Sequence, residues 1–197
     1  MRNDAPLILA SSSPRRLDLL RQAGVIPDRI AVPEVDETPL ARELPRAYAL
    51  RMAEAKAGDI AARRDARAAY ILAADTVVAC GRRILGKAND VDAAERYLRL
   101  LSGRRHRVYT GVAVIAPGGR RAVRVVMTMV RFKRLAEPEI AAYLASGEWR
   151  GKAGGYAIQG RAEAFIPAIN GSFSNVVGLP LATTLDLLRG LGWRPEP

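Results

Sequence analysis

A long hairpin set among helices constrains the fold of this chain more than any other feature of its sequence. Residues 106–116 and 121–133 are rich in β-forming side chains, and the turn at 117–119 (PGG) separates them, which predicts two antiparallel strands. We further predict strands at 7–10, 70–79, 83–85 and 164–169, helices at 14–23, 45–63, 91–101, 137–146 and 181–188, and a loop at 30–40. Strands and helices alternate without a strict repeat, so we predict an α/β (mixed α+β) fold in a single domain, 1–197.

Charge, aromatic content and cysteine count restrict the partners and the compartment. The net charge of +11 favours polyanions, but aromatic residues make up only 6% and do not interleave with a basic stretch, which disfavours a nucleic-acid partner. The single cysteine, Cys80, cannot form an internal disulfide and fits a reducing, cytoplasmic location. No stretch reaches the ~18 consecutive apolar residues of a membrane span, so we expect no membrane partner.

A turn rich in serine and arginine joins the first predicted strand to the first predicted helix. Ser11 and Ser13 precede Pro14, and Arg15 and Arg16 follow it. Free N–H groups at the start of a helix attract anions, and guanidinium groups are fork-shaped donors for phosphate oxygens. The segment is therefore compatible with a triphosphate-binding loop and, equally, with a capped helix that carries two solvated arginines.

An aspartate interrupts the apolar strand predicted at 70–79. Burying a carboxylate in mid-strand is costly unless the group is paired or binds a metal ion. We therefore interpret Asp75 as a functional residue, in preference to a structural carboxylate that caps a turn beside Thr76.

Further charged residues are candidates only if the fold gathers them around this aspartate. Glu34, Asp36 and Glu37 lie in the acidic loop, where carboxylates can hold a hard divalent cation, although a solvated loop is the simpler interpretation. Lys56 and Lys87 are ordinary surface lysines unless they meet Asp75.

The sequence lacks the motifs of several other enzyme classes. We interpret its one histidine, His106, as a hydrogen-bonded structural residue, and the count of histidine and cysteine excludes a zinc site built from them. Neither GxxxxGK[ST] nor GxGxxG before a helix occurs, so kinases and dehydrogenases of those classes are not supported.

Eight segments occur in a characteristic order along the chain. They are LILASSSPRRLDLL (7–20), VDE (35–37), AEAKA (53–57), AADTVV (73–78), GK (86–87), LSGRRHRVYTGV (101–112), SGEWRGKAGGYAIQG (146–160) and INGSFSNVVGLPL (169–181). In this order they resemble the Maf family of nucleotide pyrophosphatases over nearly the whole chain. The resemblance implies a fold like that of the family and of inosine triphosphatases, with a central twisted mixed sheet, flanking helices and a cleft between two lobes.

The resemblance also implies roles for individual residues. The implied catalytic residues are Asp75 as the proton acceptor that activates water, Glu37, Lys56 and Lys87. The implied substrate-binding residues are Ser11, Ser13, Arg15, Arg16, Thr76 and Gln159. Glu37 and Asp75 are the implied ligands of a divalent cation, Mg²⁺ or Mn²⁺. Many members have proline after the second lysine, where this chain has Ala88.

The implied reaction is hydrolysis of a nucleoside triphosphate to its monophosphate and diphosphate. Arg16, Thr76 and Gln159 resemble the subgroup that acts on dTTP and UTP, and modified pyrimidine nucleotides are further candidate substrates. The Gln159 amide offers the donor and acceptor that O4 and N3–H of uracil and thymine require. Phosphoryl transfer depends on positioning and charge neutralisation, which the basic residues and a cation would supply.

Alternatives remain open at this stage. One is a pyrophosphatase for 7-methyl-GTP or a non-standard purine triphosphate, against which Thr76 and Gln159 argue. Another is a non-enzymatic protein of septum formation or nucleic-acid binding, for which a buried Asp75 would have no use. The biological purpose is either the cleaning of nucleotide pools or the control of cell division, and a homodimer is suggested by analogy with the family.

Overall fold

The computed structural model describes residues 5–194 and shows one seven-stranded sheet with helices packed against it. The strands are β1 (Leu7–Ala10), β2 (Arg29–Ala31), β3 (Tyr70–Cys80), β4 (Arg83–Leu85), β5 (Arg105–Ile115), β6 (Arg121–Arg131) and β7 (Ala168–Asn170). The helices are α1 (Pro14–Gln22), α2 (Pro45–Ala61), α3 (Val91–Leu101), α4 (Glu137–Ser146), α5 (Phe173–Val177) and α6 (Leu181–Gly190), with 3₁₀ turns at Arg64–Ala66 and Arg161–Phe165. Within residues 5–194, none of the helices has the length and apolar character needed to cross a membrane.

The sheet is mixed, as the sequence predicts. Its strand order is β2-β1-β3-β5-β6-β7, and β4 pairs with the end of β3. Strands β2, β1 and β3 are parallel, whereas β3, β5, β6 and β7 are antiparallel neighbours. The predicted hairpin is present as β5 and β6, which pair from Arg105↔Arg131 to Ile115↔Arg121. The α/β prediction is confirmed; the domain extent of 1–197 includes residues outside the described range and stays a prediction.

A gap along one edge of β3 leaves room for a site. Strand β1 pairs with β3 only as far as Ala10↔Ala73, and β4 begins its pairing at Val78. Within the described chain, residues 74–77 therefore pair with β5 on one edge and with no strand on the other. The chain leaves β1 at its carboxyl end beside this gap, which is where ligands commonly bind in sheets with parallel strands.

The alternation of side chains along β3 decides what each residue faces. Ile71 packs with Ala57 of α2 on one face of the sheet, and Leu72 belongs to the larger core on the other face. Successive side chains in a strand point to opposite faces. Asp75 therefore lies on the face that α2 covers, and Thr76 lies on the opposite one.

Helix α2 lies unusually close to the sheet. Its many alanines favour helix formation, and Pro45 occupies a first-turn position where a missing N–H has no cost. Gly111 of β5, the register partner of Asp75, has no side chain, and a Cβ there would overlap the carbonyl oxygen of Ala49. The close approach allows Lys56, two turns further along α2, to reach Asp75.

The opposite face of the sheet carries the larger core. Leu20 of α1, Leu98 of α3, Leu188 of α6 and Tyr143 of α4 are buried there against the strands. Burial of each such side chain contributes about 1.5–3 kcal/mol. The strands that carry the site are thus supported by helices on both faces.

Some local predictions need correction. The strand predicted at 164–169 begins as the 3₁₀ turn Arg161–Phe165, and only β7 is extended, because Pro167 cannot donate to a strand ladder. The loop predicted at 30–40 begins within the edge strand β2, and α5 is not predicted at all. Ser13 is the N-cap of α1, but its hydroxyl does not cap the helix; its backbone N–H donates to Oγ of Ser11 over 3.1 Å.

Candidate active site

A cavity of about 370 Å³ opens at the gap along β3. Its walls come from the turn after β1, from α2 and β3, from residues 151–153 and from the segment that follows α5. Nine of the ten site residues predicted from the sequence line it, namely Ser11, Ser13, Arg15, Arg16, Glu37, Lys56, Asp75, Thr76 and Lys87. The fold therefore gathers residues that are far apart in the sequence.

An ion-pair network holds the four predicted catalytic residues together. Nζ of Lys56 lies 2.6 Å from Oδ1 of Asp75 and 2.6 Å from Oε1 of Glu37. Nζ of Lys87 donates to Oε2 of Glu37 over 3.0 Å. Lys56 and Asp75 are only 7% and 8% exposed, so each compensates a charge that would be costly to bury alone. Lys56 is therefore not a surface lysine, whereas Lys87 is exposed and joins the network through Glu37 alone.

Glu37 is ionised within this network. Partial burial opposes its charge, but hydrogen bonds from Lys56 and Lys87 outweigh that effect and hold the pKa of Glu37 at about 2. The carboxylate therefore carries its negative charge at neutral pH and compensates the positive charges of Lys56 and Lys87.

The acidic loop is fastened to α2 by a tyrosine that the sequence analysis did not identify. The hydroxyl of Tyr48 donates to the backbone oxygen of Glu37 over 2.6 Å. Burial, followed by the negative charges of Asp75 and Glu37, raises the pKa of Tyr48 to about 12, so the hydroxyl keeps its proton. Glu34 and Asp36 are exposed and are not among the lining residues, which agrees with the simpler interpretation of a solvated loop.

Arg16 is tied into the protein by several hydrogen bonds. Its guanidinium donates to the backbone oxygen of Gly178 over 2.9 Å, to Oγ of Ser11 over 3.0 Å and to Oγ1 of Thr76 over 3.3 Å. Burial lowers the pKa of Arg16, and the nearby charge of Asp75 opposes that shift. Arg16 therefore joins the turn after β1 to β3 and to the segment after α5.

Arg15 has a different environment on the same turn. It lines the cavity, and burial lowers its pKa. Within the described chain no hydrogen bond or ion pair engages its guanidinium. Arg15 is therefore a cation in the cavity wall whose charge is not used by the fold.

Thr76 belongs to a buried chain of hydroxyl groups. Its Oγ1 lies 3.0 Å from Oγ1 of Thr110, which donates to the backbone oxygen of Asn175 over 3.1 Å. The Asn175 amide donates in turn to the backbone oxygen of Val108 and to Oγ1 of Thr128. This network, absent from the sequence analysis apart from Thr76, joins β3, β5 and β6 to the short helix α5.

Gln159 is the one predicted site residue that the structure does not bring to the cavity. Its side chain is exposed, and it is not among the lining residues. Its part in base recognition stays a prediction.

The segment 151–154 adds a cation that the sequence analysis did not identify. Lys152 is half-buried and lines the cavity beside Gly151 and Ala153. The segment is fixed by an antiparallel bridge between Lys87 and Ala153 and by the N–H of Ala88, which donates to the oxygen of Lys152 over 3.1 Å. Proline at position 88 could not make that bond.

His106 is structural, in agreement with the sequence analysis. It is 2% exposed, its Nε2 lies 2.7 Å from the hydroxyl oxygen of Tyr156, and its ring packs edge-on against Phe132. Burial lowers the pKa of His106 to about 4, so the ring is neutral at physiological pH. Of this cluster, Tyr156 reaches the cavity wall.

The residues that could hold a divalent cation are Glu37 and Asp75. Both carboxylates contact the ammonium nitrogen of Lys56, which brings them close to one another. Residues 5–194 contain no group of three or more histidine, cysteine, aspartate or glutamate side chains arranged for a metal ion. Two carboxylates suit Mg²⁺, which usually takes one or two from the protein and completes its shell with water and phosphate oxygens. The donor set therefore fits the expected ion.

Comparisons with known proteins identify the family of this chain. Residues 6–191 match the family described as Maf-like protein. The chain is 58% identical over 194 residues to a dTTP/UTP pyrophosphatase of Hyphomonas neptunium, covering 98% of this chain and 100% of that protein. It is 59% identical over 189 residues to a dTTP/UTP pyrophosphatase of Caulobacter vibrioides, covering 96% of this chain and 97% of that one.

Likeness to solved structures is much weaker. A nucleoside-triphosphatase (dITP/XTP pyrophosphatase) of Mycobacterium abscessus aligns with 18% identity and a TM-score of 0.41, covering 66% of this chain and 73% of that chain. A likeness at that level carries no argument about activity. The family match and the identity along the full length are decisive, and the chain belongs to the Maf-like protein family.

Proposed function

We propose that this protein hydrolyses dTTP and UTP to the nucleoside monophosphate and diphosphate. The observation that carries the proposal is a carboxylate, Asp75, that lines a cavity together with five cationic side chains: Arg15, Arg16, Lys56, Lys87 and Lys152. The choice of dTTP and UTP is supported by relatives of that name at 58–59% identity along almost the entire chain.

We assign the activation of water to Asp75, because it is a buried carboxylate that lines the cavity. In the proposed reaction, a water oxygen attacks the α-phosphorus while Asp75 takes a proton from that water. The bond between the α-phosphorus and the bridging oxygen breaks, and diphosphate leaves with the electron pair. Lys56 orients the carboxylate through its 2.6 Å contact, and general-base assistance of this kind contributes about 10²- to 10⁴-fold in rate.

The cationic lining suits a triphosphate. Such a substrate carries about four negative charges near neutral pH. Catalysis of phosphoryl transfer depends mainly on positioning and on neutralising that charge. The cavity supplies fixed cations for both tasks without a change in the fold.

A divalent cation, Mg²⁺ or Mn²⁺, is proposed to bind at Glu37 and Asp75. When bound, it would offset phosphate charge and polarise phosphate or water oxygens. Glu37 suits this role because its low pKa keeps it ionised and acceptor-only. Lys56 and Lys87 hold that carboxylate in place from two sides.

Base selection is proposed to involve Thr76, Arg16 and Gln159. Arg16 donates to Thr76, so these two side chains form one wall beside the segment after α5. Gln159 lies outside the lining residues and is tested by substitution: a Gln159→Ala variant with unchanged preference among bases would remove it from recognition. A homodimer and a cytoplasmic location stay predictions of the sequence.

The proposal is tested by measuring diphosphate release from a panel of triphosphates with added Mg²⁺ or Mn²⁺. The panel contains dTTP, UTP, 7-methyl-GTP, dITP and modified pyrimidine nucleotides, and wild type is compared with Asp75→Asn. We expect release from dTTP and UTP by the wild type and a loss of about 10²- to 10⁴-fold in the variant.

Two results would contradict parts of this proposal separately. Equal activity of wild type and Asp75→Asn would remove Asp75 as the base. Activity on 7-methyl-GTP or dITP with none on dTTP or UTP would overturn the substrate assignment and leave the hydrolytic chemistry in place.

A further inference from the structure

We propose that Arg15 and Lys152 together form the subsite for the diphosphate portion of the substrate, and that Lys152 contacts substrate directly. The inference rests on the proposed function, because it assigns one end of the triphosphate to one pair of residues. It also adds Lys152 to the implied substrate-binding residues Arg15 and Arg16, and it gives Lys56 and Lys87 no direct part in binding the diphosphate.

Charge pairing removes Lys56 and Lys87 from the set of free cations. Lys56 contacts Asp75 and Glu37, and Lys87 contacts Glu37. Two carboxylates thus face two ammonium groups within one network. An anionic substrate that approached these lysines would have to compete with charges already at 2.6–3.0 Å.

Hydrogen bonding limits Arg16 in a similar way. Its donors are directed at Gly178, Ser11 and Thr76, so most of the guanidinium fork is already satisfied by the protein. Arg16 is built into the cavity wall beside Thr76, and few of its donors are left for a phosphate. Its position leaves Arg15 as the arginine of this turn that is available to an anion.

Lys152 is the second available cation. Within residues 5–194, no carboxylate forms an ion pair with its ammonium group, which donates to the backbone oxygen of Arg150 over 3.3 Å. The nearest acidic influence, Glu148, is occupied elsewhere, because its carboxylate accepts from the backbone N–H of Arg161 over 2.8 Å and lies 3.6 Å from the Arg161 guanidinium.

The two free cations influence one another. Burial lowers the pKa of Lys152, the positive charge of Arg15 lowers it further, and Glu148 acts in the opposite direction. Two like charges facing one cavity are unfavourable until an anion binds between them. Diphosphate carries several negative charges and would relieve both the repulsion and the incomplete solvation.

The backbone around Lys152 is fixed, as a binding residue requires. The oxygen of Lys152 accepts from Ala88, and the N–H of Gly151 donates back to the oxygen of Ala88 over 3.0 Å. Gly154 has φ +69°, and a Cβ there would come within 2.8 Å of the Val78 side chain, so the turn needs glycine. The stem of Lys152 is therefore held at the cavity wall before substrate arrives.

The test measures binding of inorganic pyrophosphate and of UMP to the full-length protein by calorimetry, with the metal concentration held constant. Lys152→Gln is compared with wild type, with Lys152→Arg and with the control Lys133→Gln, which removes an exposed lysine that pairs with Glu139. We expect Lys152→Gln to raise the Kd for pyrophosphate about tenfold or more while the Kd for UMP changes less than about twofold. Lys152→Arg should recover much of the affinity, and the control should equal wild type.

Three outcomes would overturn the subsite. They are an unchanged pyrophosphate Kd in Lys152→Gln, an equal loss of affinity for pyrophosphate and UMP, and no measurable binding of pyrophosphate to wild type. The recovery in Lys152→Arg, together with an unchanged circular dichroism spectrum, separates a lost contact from misfolding. Selective pyrophosphate binding by a wild type that releases no diphosphate from dTTP or UTP would support the subsite and contradict the proposed function.

Discussion

Two polar clusters in this protein differ in the charge state of their titratable groups. The ion-pair network at the cavity keeps Lys56, Asp75 and Glu37 within 2.6 Å contacts of opposite charge. The aromatic cluster around His106 contains no compensating carboxylate, and burial lowers the pKa of the ring to about 4 so that it stays neutral. One cluster retains charge by pairing, and the other avoids charge by deprotonation.

The difference shows that the proposed catalytic role and the structural role fall to separate clusters of polar residues in this protein. Paired groups at the cavity edge stay charged and oriented beside the place where substrate is proposed to bind, so they suit chemistry. A neutral, hydrogen-bonded histidine among aromatic rings has no such exchange and contributes packing. Whether a buried polar residue suits catalysis therefore depends on the groups that it contacts and not on burial alone.

The largest expected effect comes from breaking the charged cluster at Lys56. Lys56→Met leaves Asp75 and Glu37 without their shared cation, which should destabilise the fold by about 3–5 kcal/mol and lower kcat/KM by about 100-fold or more. The double variant Lys56→Met/Asp75→Asn should regain much of the stability and none of the activity. Urea unfolding and diphosphate release measure the two effects; a double variant no more stable than the single one would show that charge compensation is not what Lys56 supplies.

The matching change in the neutral cluster should affect stability alone. His106→Ala removes a buried ring and its bond to Tyr156, with an expected loss of about 2–4 kcal/mol. Because His106 is separated from the cavity by Tyr156, kcat should stay within about threefold of wild type. The control is Arg107→Ala, an exposed neighbour on the same strand, which should change stability by less than about 0.5 kcal/mol. A large fall in kcat for His106→Ala at full stability would assign this cluster to catalysis.

Acid should distinguish the two clusters by pH range. The folded pKa of His106, about 4, lies below its ordinary value of 6.5, so the unfolded chain binds more protons between these values. Stability should therefore fall as pH drops from about 6.5 to 4, by up to about 3 kcal/mol from this residue. The folded pKa of Glu37, about 2, lies below its ordinary value of 4.5, so its contribution to stability should be lost only as pH falls from about 4.5 to 2.

The comparison of His106→Ala with wild type isolates the first of these pH effects. Unfolding free energies measured at pH 7 and at pH 4.5 should differ less in the variant than in wild type. An identical pH dependence in the two proteins would mean that other groups are responsible for the decline.

The smallest expected effect tests the hydroxyl network that supports Thr76. Thr110→Val removes a buried hydroxyl that contacts Thr76 and the oxygen of Asn175, which should cost about 1–2 kcal/mol and raise KM for UTP a few-fold. Thr184→Val is the matched control, because its buried hydroxyl donates to the oxygen of Pro180, the N-cap of α6, and does not line the cavity. It should lose similar stability with unchanged KM; equal KM values in both variants would remove Thr110 from positioning.

Much of the site follows from reasoning about single residues. Asp75 was identified because an unpaired carboxylate in an apolar strand is costly, and it is indeed buried and paired. The hairpin and the ends of α3 and α4 follow from local periodicity and turn residues. Tyr48 and Lys152 could not be identified this way, because a tyrosine in an alanine-rich helix and a lysine in a glycine-rich turn carry no local sign of their partners.

The sequence by itself determined most of the elements and the chemical types of the site residues. Apolar spacing, proline and glycine act within a few residues, so they specify the long strands and helices without knowledge of the rest, whereas the short elements β2 and α5 were not predicted. Only the tertiary structure decided which cations are consumed by carboxylates, as at Lys56 and Lys87, and which stay free, as at Arg15 and Lys152. The reason is that charge pairing depends on distance and burial, and both are set by tertiary contacts. Glu37 and Lys87, for example, are in contact although they are far apart in the sequence.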